Sequence, residues 1–284
     1  YTLTVTGTGT QDITLTPDSS STGDWDEENR TMTKTLGDAD FTVEGKGALD
    51  PKAVIRYAVT ANTPNDGTGE PSDPTDGTPV ISVDEKSGQV TILAAGTATV
   101  TVTAGETDNV AQSTTDNTVT VNKADPKINV STYLEDGGNS FPYNGGAPIT
   151  DCKKATVTGV TSQELPQPDQ NKLVYTFYDT QGAAQSGTGG STTAPGEVRE
   201  DGYWLVVSYP EDANYNAVKS APIQIFVVEG QLTVEVTPHT GQYDGQTHDA
   251  AAIKVSYGGK TLTEEEYTIK FSTENDSTYE LDDM

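Results

Sequence analysis

The sequence predicts an all-β chain of consecutive antiparallel sandwiches, and three observations carry that expectation. Apolar and β-branched residues alternate with threonine and other polar residues at a period of two, the pattern of strands with one buried and one solvated face. Clusters of Gly, Pro, Asn and Asp separate these runs at short intervals. Apolar residues at helical spacing are nearly absent. Parallel sheets need long, usually helical crossovers, so this rhythm points to antiparallel pairing.

In chain order, a strand-like run opens the sequence at 1–6, and the alternation is clearest at 12–16, 54–60, 89–93, 97–103, 118–122, 172–178, 203–209, 222–228, 232–237, 253–257 and 267–271. Gly88 and Gly96 supply turns between neighbouring strands, while Val90, Ile92, Val100 and Val102 supply inward side chains.

A length of 284 residues fits two or three domains, at about 100 residues per all-β module. Hydrophobic residues make up only 32%, and mean hydropathy is −0.54, so several thin cores are expected in place of one large one. The repeated alternation argues against a disordered chain of the same polarity. Forty-three acidic against sixteen basic residues give a net charge of −27, which repels nucleic-acid phosphates and anionic membranes; neither is expected as a partner. Cys152 is the only cysteine, so no intramolecular disulfide forms, and one Cys with two His cannot assemble a zinc set. No apolar run reaches about 18 residues and no basic, apolar leader opens the chain, so no membrane insertion is expected of this stretch. The strand-like opening fits a piece of a longer protein.

At 122–127 and at 228–232 one strand-like run ends and another begins within a few residues, with Pro126 holding its predecessor extended. These junctions divide the chain into modules at 1–123, 124–229 and 230–284. Linkers this short favour an elongated array of modules with separate cores. An internal repeat supports the division: Tyr143-Asn144-Gly145 recurs 100 residues later (243 − 143) as Tyr243-Asp244-Gly245. In both copies a strand precedes the tripeptide (128–131; 232–237) and others follow (155–160 and 173–177; 253–257 and 267–271). The third module lacks counterparts of 203–209 and 222–228, so residues 230–284 are expected to be loosely folded or completed by a neighbouring molecule.

Residues 80–102 run Val-Ile-Ser-Val-Asp-Glu-Lys-Ser-Gly-Gln-Val-Thr-Ile-Leu-Ala-Ala-Gly-Thr-Ala-Thr-Val-Thr-Val. This resembles the bacterial immunoglobulin-like group 2 family, with its valine-Asp pair, Gly-ended turn, strand, Ala-Gly-Thr turn and final Thr/Val strand. Residues 36–41 and 55–59 fit that family's earlier strands, while the Pro-, Gly- and Asp-rich insertion at 63–78 departs from it. Tyr143-Asn144-Gly145, the run 201–207, the run 212–216 and Tyr243-Asp244-Gly245 make the remainder similar to YDG-type, or group 3, bacterial Ig-like modules of Gram-positive surface proteins. The resemblance implies tandem immunoglobulin-like sandwiches in an elongated array, an extracellular or cell-wall-attached setting, and no catalytic residues to carry over.

Candidate chemistry is sparse. His239 and His248 lie near Asp244 and Asp249 without the third partner that an acid–base or metal site needs, and read as surface histidines. No Gly-x-Ser-x-Gly nucleophile turn is present. Cys152 sits beside Lys153 and Lys154, which would lower its pKa, and is expected as a half-exposed free thiol at a strand end. The run 24–28 (Asp-Trp-Asp-Glu-Glu) and the loop acids Asp66, Asp73 and Asp76 offer oxygen ligands for weakly held calcium, but neither has EF-hand spacing. No other cofactor is expected. Trp204 is expected to pack in the core, whereas Trp25, in a polar stretch, is the candidate ligand contact or else a lid over a sandwich end. A Lys–Asn isopeptide bond is a further option that such surface modules carry, and sequence does not say which residues would meet.

The leading expectation is a non-catalytic structural or adhesive stalk segment, with a host or cell-surface glycan or protein and the adjacent Ig-like modules as partners. The alternative is a carbohydrate-binding accessory region of a secreted glycan-degrading enzyme.

Overall fold

Period-two alternation in the first 122 residues folds into two facing sheets. The structure, a computed structural model, describes residues 9–17, 24–65, 79–162, 164–230, 232–237, 252–257 and 260–269. The first nine strands are β1 (Thr14–Pro17), β2 (Trp25–Asp26), β3 (Thr31–Thr35), β4 (Phe41–Lys46), β5 (Ile55–Pro64), β6 (Ile81–Val83), β7 (Gln89–Ile92), β8 (Gly96–Ala104) and β9 (Ser113–Asn122). One sheet runs in the order β1-β4-β7-β6 and the other β2-β3-β9-β8-β5. Pairing is antiparallel throughout, except that β3 runs parallel to β9 from Thr31↔Thr118 to Thr35↔Asn122. With β1, β4, β7 and β6 as strands A, B, E and D, and β9, β8 and β5 as G, F and C, this is the immunoglobulin-like sandwich.

The core is built as the alternation requires. Val90, Val100 and Val102 are 0% exposed and Ile92 3%, so the four side chains expected to face inward do so. Leu15, Met32, Phe41, Val43, Val119 and Val121 complete the two inner faces, each full burial being worth about 1.5–3 kcal/mol. Strand β3 went unread in the sequence because its inward residues are Met32 and Lys34, and an inward lysine masks the alternation. Gly88 has φ +71°, and a Cβ there would lie 2.2 Å from the Val43 carbonyl oxygen. Only glycine closes that turn. It is tightened by Asp84, whose Oδ1 accepts from the Lys86 and Ser87 amides. Those bonds, Ser87 first, hold the Asp84 carboxyl below the usual range.

The chain divides into two compact units, one of residues 1–131, 155–175 and 206–221, the other of residues 132–154, 176–205 and 222–284. In the first unit the sandwich continues into strand β10 (Lys127–Asn129) and its antiparallel partner at Thr156–Thr158. Separate cores are not what is found on either side of residue 123: one buried cluster runs from Ile13 through Val121 to Ala124, Val157, Tyr209 and Tyr215. The reason is hydrogen bonding between segments distant in the chain. The Ala124 amide donates to the Asn214 carbonyl (3.0 Å), the Asn216 amide donates to the Ala124 carbonyl (2.9 Å), and the Ala95 amide donates to Asn214 Oδ1 (2.9 Å). Gly37 leaves room for Val160, since a Cβ there would fall 2.5 Å from Val160 Cγ1.

Tyr215, 1% exposed, fills this junction. Its hydroxyl donates to the Pro166 carbonyl (2.7 Å) and accepts from the Val160 amide (3.2 Å). Asp212 sets the approach: its Oδ1 accepts from the Asn214 and Tyr215 amides, and its Oδ2 accepts from the Tyr209 hydroxyl. Gly159 completes the pocket, because a Cβ there would lie 2.1 Å from the Tyr215 hydroxyl oxygen.

The second unit holds a short helix, α1 (Ser131–Leu134, its first residue in the first unit), where the sequence reading continued a strand to 131. Its buried Tyr133 donates to the Cys152 carbonyl and accepts from the Lys154 amide. Next in chain order come β11 (Ser140–Pro142), β12 (Thr156–Thr158, the partner of β10, in the first unit), β13 (Val174–Tyr178), α2 (Gln181–Ser186), β14 (Tyr203–Tyr209), β15 (Val218–Lys219, in the first unit) and β16 (Ile223–Val228). Helix α2 is signalled only by its caps: Thr180 accepts the Ala183 amide, and Gly187 turns left-handed at φ 72°. Strand β16 lies between β11, parallel to it, and the Tyr203–Leu205 end of β14, antiparallel. A separate sheet comprises β17 (Leu232–Thr237), β18 (Ala252–Tyr257) and β19 (Lys260–Thr261). Strands β17 and β18 pair over all six residues, from Leu232↔Tyr257 to Thr237↔Ala252. The strand expected at 267–271 is corrected: residues 267–269 are not in a strand, and the last two lie outside the described residues. Among the described residues no helix is long and apolar enough to cross a membrane.

Replacing Tyr215 by Phe leaves the Val160 amide and the Pro166 carbonyl without their partner. Urea unfolding should show a loss of about 1–3 kcal/mol with little change in m-value. A second expectation concerns alkaline pH. Burial, and then the bond to Asp212, raise the Tyr209 pKa well above its usual value, and burial raises that of Tyr215. A raised folded-state pKa gives stability that is complete below the unfolded value of about 10 and is lost as pH rises through the folded one. Stability should therefore decline above about pH 10, and Tyr209→Phe should make that decline shallower in a pH series of urea melts.

Candidate functional site

Strand β2 ends at Asp26, where the chain turns back. Asp26 accepts from both the amide and the side-chain nitrogen of Asn29, and Arg30 takes φ 52° to start β3. Those bonds from Asn29 hold the Asp26 carboxyl below the usual range. Trp25 pairs with Met32, and direct cross-strand partners share a sheet face. Since Met32 is 1% exposed, Trp25 lies on the inward side at the sheet edge, half-buried against the first core. Both readings of this residue, ligand contact and lid, therefore fall on one side chain.

Beside the ring opens a cleft of about 420 Å³ lined by Asp24, Trp25, Asp26, Thr33, Lys34, Thr35 and Asp38. Lys34 points inward, only 9% exposed, with its ammonium bonded to Asp24 Oδ2 and 5.5 Å from the centre of the Phe41 ring. Asp38 Oδ2 accepts the Thr35 amide at 2.8 Å. Among the described residues, the indole N–H of Trp25 and the second oxygens of Asp24 and Asp38 have no protein partner. A second cleft, also of about 420 Å³, is lined by Asn65, Thr97, Thr120, Asn122, Lys123 and Asn216 among others, and its Lys123 is paired with Glu211.

For calcium, the run 24–28 is dispersed: Asp24 engages Lys34 and Asp26 engages Asn29. Among the described residues no three His, Cys, Asp or Glu side chains come together as metal ligands. His239, His248, Asp244, Asp249, Asp66, Asp73 and Asp76 lie outside the described residues. Two readings are corrected. Cys152 is not half-exposed but 3% exposed, its Sγ 3.8 Å from the Ile149 carbonyl oxygen, and burial pushes its thiol pKa up. One expected activator is engaged elsewhere: the Lys154 ammonium donates to the Gly138 carbonyl and stands 4.7 Å from the centre of the Phe141 ring. Trp204 is half-buried opposite Gln224, while its neighbours Tyr203 and Leu205 face the core.

No family model matches the chain, and no curated protein matches it. Among solved structures it is similar to domains EC1–3 of Drosophila N-cadherin, at 16% identity and a TM-score of 0.22, over 70% of this chain and 64% of that one. It is similar to a SusE-like, surface-located polysaccharide-binding protein from the heparin utilisation locus of Bacteroides thetaiotaomicron, at 11% identity and a TM-score of 0.23, over 69% of this chain and 86% of that one. A third is the set of zebrafish RET cadherin-like domains 1 to 4, at 11% identity and a TM-score of 0.20, over 69% of this chain and 53% of that one. The chain thus spans under two thirds of the two cadherin-type structures.

The buried, protonated thiol of Cys152 should react slowly with a disulfide reagent in the folded protein. A thiol assay at pH 8 should show at least a hundredfold acceleration once the protein is unfolded in guanidinium, an order-of-magnitude expectation for a side chain that reacts only on opening.

Proposed function

We propose that the chain is a non-catalytic structural and adhesive segment of a bacterial cell-surface or secreted protein, with residues 1–123 as a group 2 bacterial Ig-like module and 124–229 and 230–284 as YDG-type modules. The observation that carries this reading is the junction at Ala124. Tyr215, Asn214 and Asn216 bind it on both sides, and the buried cluster passes through it, so the first sandwich and the segments 155–175 and 206–221 transmit load as one body. A spacer needs that stiffness; a chain of loosely tethered modules would dissipate it. The proposed setting is extracellular or cell-wall attached, and the proposed partners are a surface glycan or protein. A carbohydrate-binding accessory role is the second reading, favoured by the half-buried Trp25 beside free carboxylate oxygens.

Single-molecule pulling on the whole chain tests the spacer role. The first sandwich and its junction should unfold in one event, and Tyr215→Ala with Asn214→Ala should split that event and lower its force. Turnover of a peptide, ester or glycoside that is lost on alanine replacement of Cys152, His239 or His248 would overturn the non-catalytic reading.

A further inference from the structure

We infer that the cleft beside Trp25 is a subsite for an uncharged pyranose unit of a glycan chain, an inference that rests on the carbohydrate-binding reading and leaves the spacer reading independent. Four observations converge. The indole is held by the core: its strand partner Met32 is 1% exposed, and the ring packs on the same cluster, so stacking a sugar on its free portion orders no loose side chain. The amphipathic ring offers an apolar face to sugar C–H groups and an N–H, without a partner among the described residues, to a ring hydroxyl.

Acceptors stand around it in fixed positions. Asp38 spends one carboxylate oxygen on the Thr35 amide and Asp24 spends one on the Lys34 ammonium, so each keeps the other for a ligand hydroxyl. Thr33 and Thr35 line the same space, and its volume of about 420 Å³ lies within the roughly 300–1,000 Å³ of small-molecule sites. Charge then selects among glycans. Three carboxylates line the cleft against the single ammonium of Lys34, which is already paired with Asp24. Sulfated or uronic chains would bring like charge to this surface and are rejected; uncharged sugars pay no such cost. Lys34 has a positioning role, drawing Asp24 toward the sheet edge while its own stem is buried.

Isothermal titration of the whole chain with cellohexaose, mannohexaose, fully N-acetylated chitohexaose and a heparin hexasaccharide tests this. At least one uncharged hexasaccharide should bind with Kd on the order of 0.1–1 mM, and the heparin fragment should not. Trp25→Ala should weaken binding at least tenfold, and Trp25→Phe, which keeps an aromatic on the core, should weaken it less; thermal melting of both variants checks that the fold is retained. Asp38→Asn, which keeps an acceptor for the Thr35 amide, should weaken binding a few-fold. Binding that survives Trp25→Ala overturns the cleft assignment but not glycan recognition elsewhere on the chain. Absence of heat with all three uncharged hexasaccharides, or binding of the heparin fragment alone, overturns the inference, while the pulling experiment still decides the spacer role.

Discussion

The hydroxyl of Tyr215 is the point on which the first unit depends. A tyrosine buried to 1% exposure is favourable only if its polar tip is satisfied, and here the Pro166 carbonyl and the Val160 amide satisfy it. The ring can reach that position because Gly159 has no side chain and because Asp212 holds the preceding turn by its two amides. Once the ring is seated, Asn214 and Asn216 present backbone groups to Ala124 at the right height, and the first sandwich acquires a continuation in place of an end. Tyr209 ties into the same carboxylate, so a single aspartate orders two buried phenols.

The Trp25 cleft follows from a different constraint, the shortness of β2. Strand β2 pairs with β3 only through Trp25 with Met32 and Asp26 with Thr31, so Thr33, Lys34 and Thr35 have no partner in β2. The indole therefore meets the core at an edge and keeps part of its surface free. Inward placement of Lys34 brings an ammonium under this edge, and Asp24, ten residues earlier in the chain, answers it.

Much of the fold was legible because its strands follow the plain rule of one wet and one dry face. Strands β7 and β8 fall where alternating valine and threonine place them, to within a residue. What escaped were elements whose pattern is masked or too short: β3 with its inward lysine, β2 with two residues, and α2, made of small and polar residues and defined by Thr180 and Gly187. The repeat placed β17 and β18 correctly but failed at 267–269, because an alternating sequence forms a strand only where a partner edge accepts it. At the site, Trp25 was readable as an aromatic in a polar stretch; Asp38 and Thr33 were not, since nothing in their spacing shows that β3 and its following turn flank β2.

The sequence by itself determined that the chain is all-β, that Gly88 closes a turn, that Val90, Ile92, Val100 and Val102 face inward, and that one cysteine cannot crosslink it. These are local matters of period, backbone conformation and residue count. Tertiary structure alone decided that the core runs through Ala124 to Tyr215, that Cys152 is buried and protonated, and that Lys34 turns inward to pair with Asp24. The first depends on groups far apart in the chain, such as Ala95 with Asn214 or Gly37 with Val160, whose meeting is fixed by packing and leaves no periodic mark in the sequence.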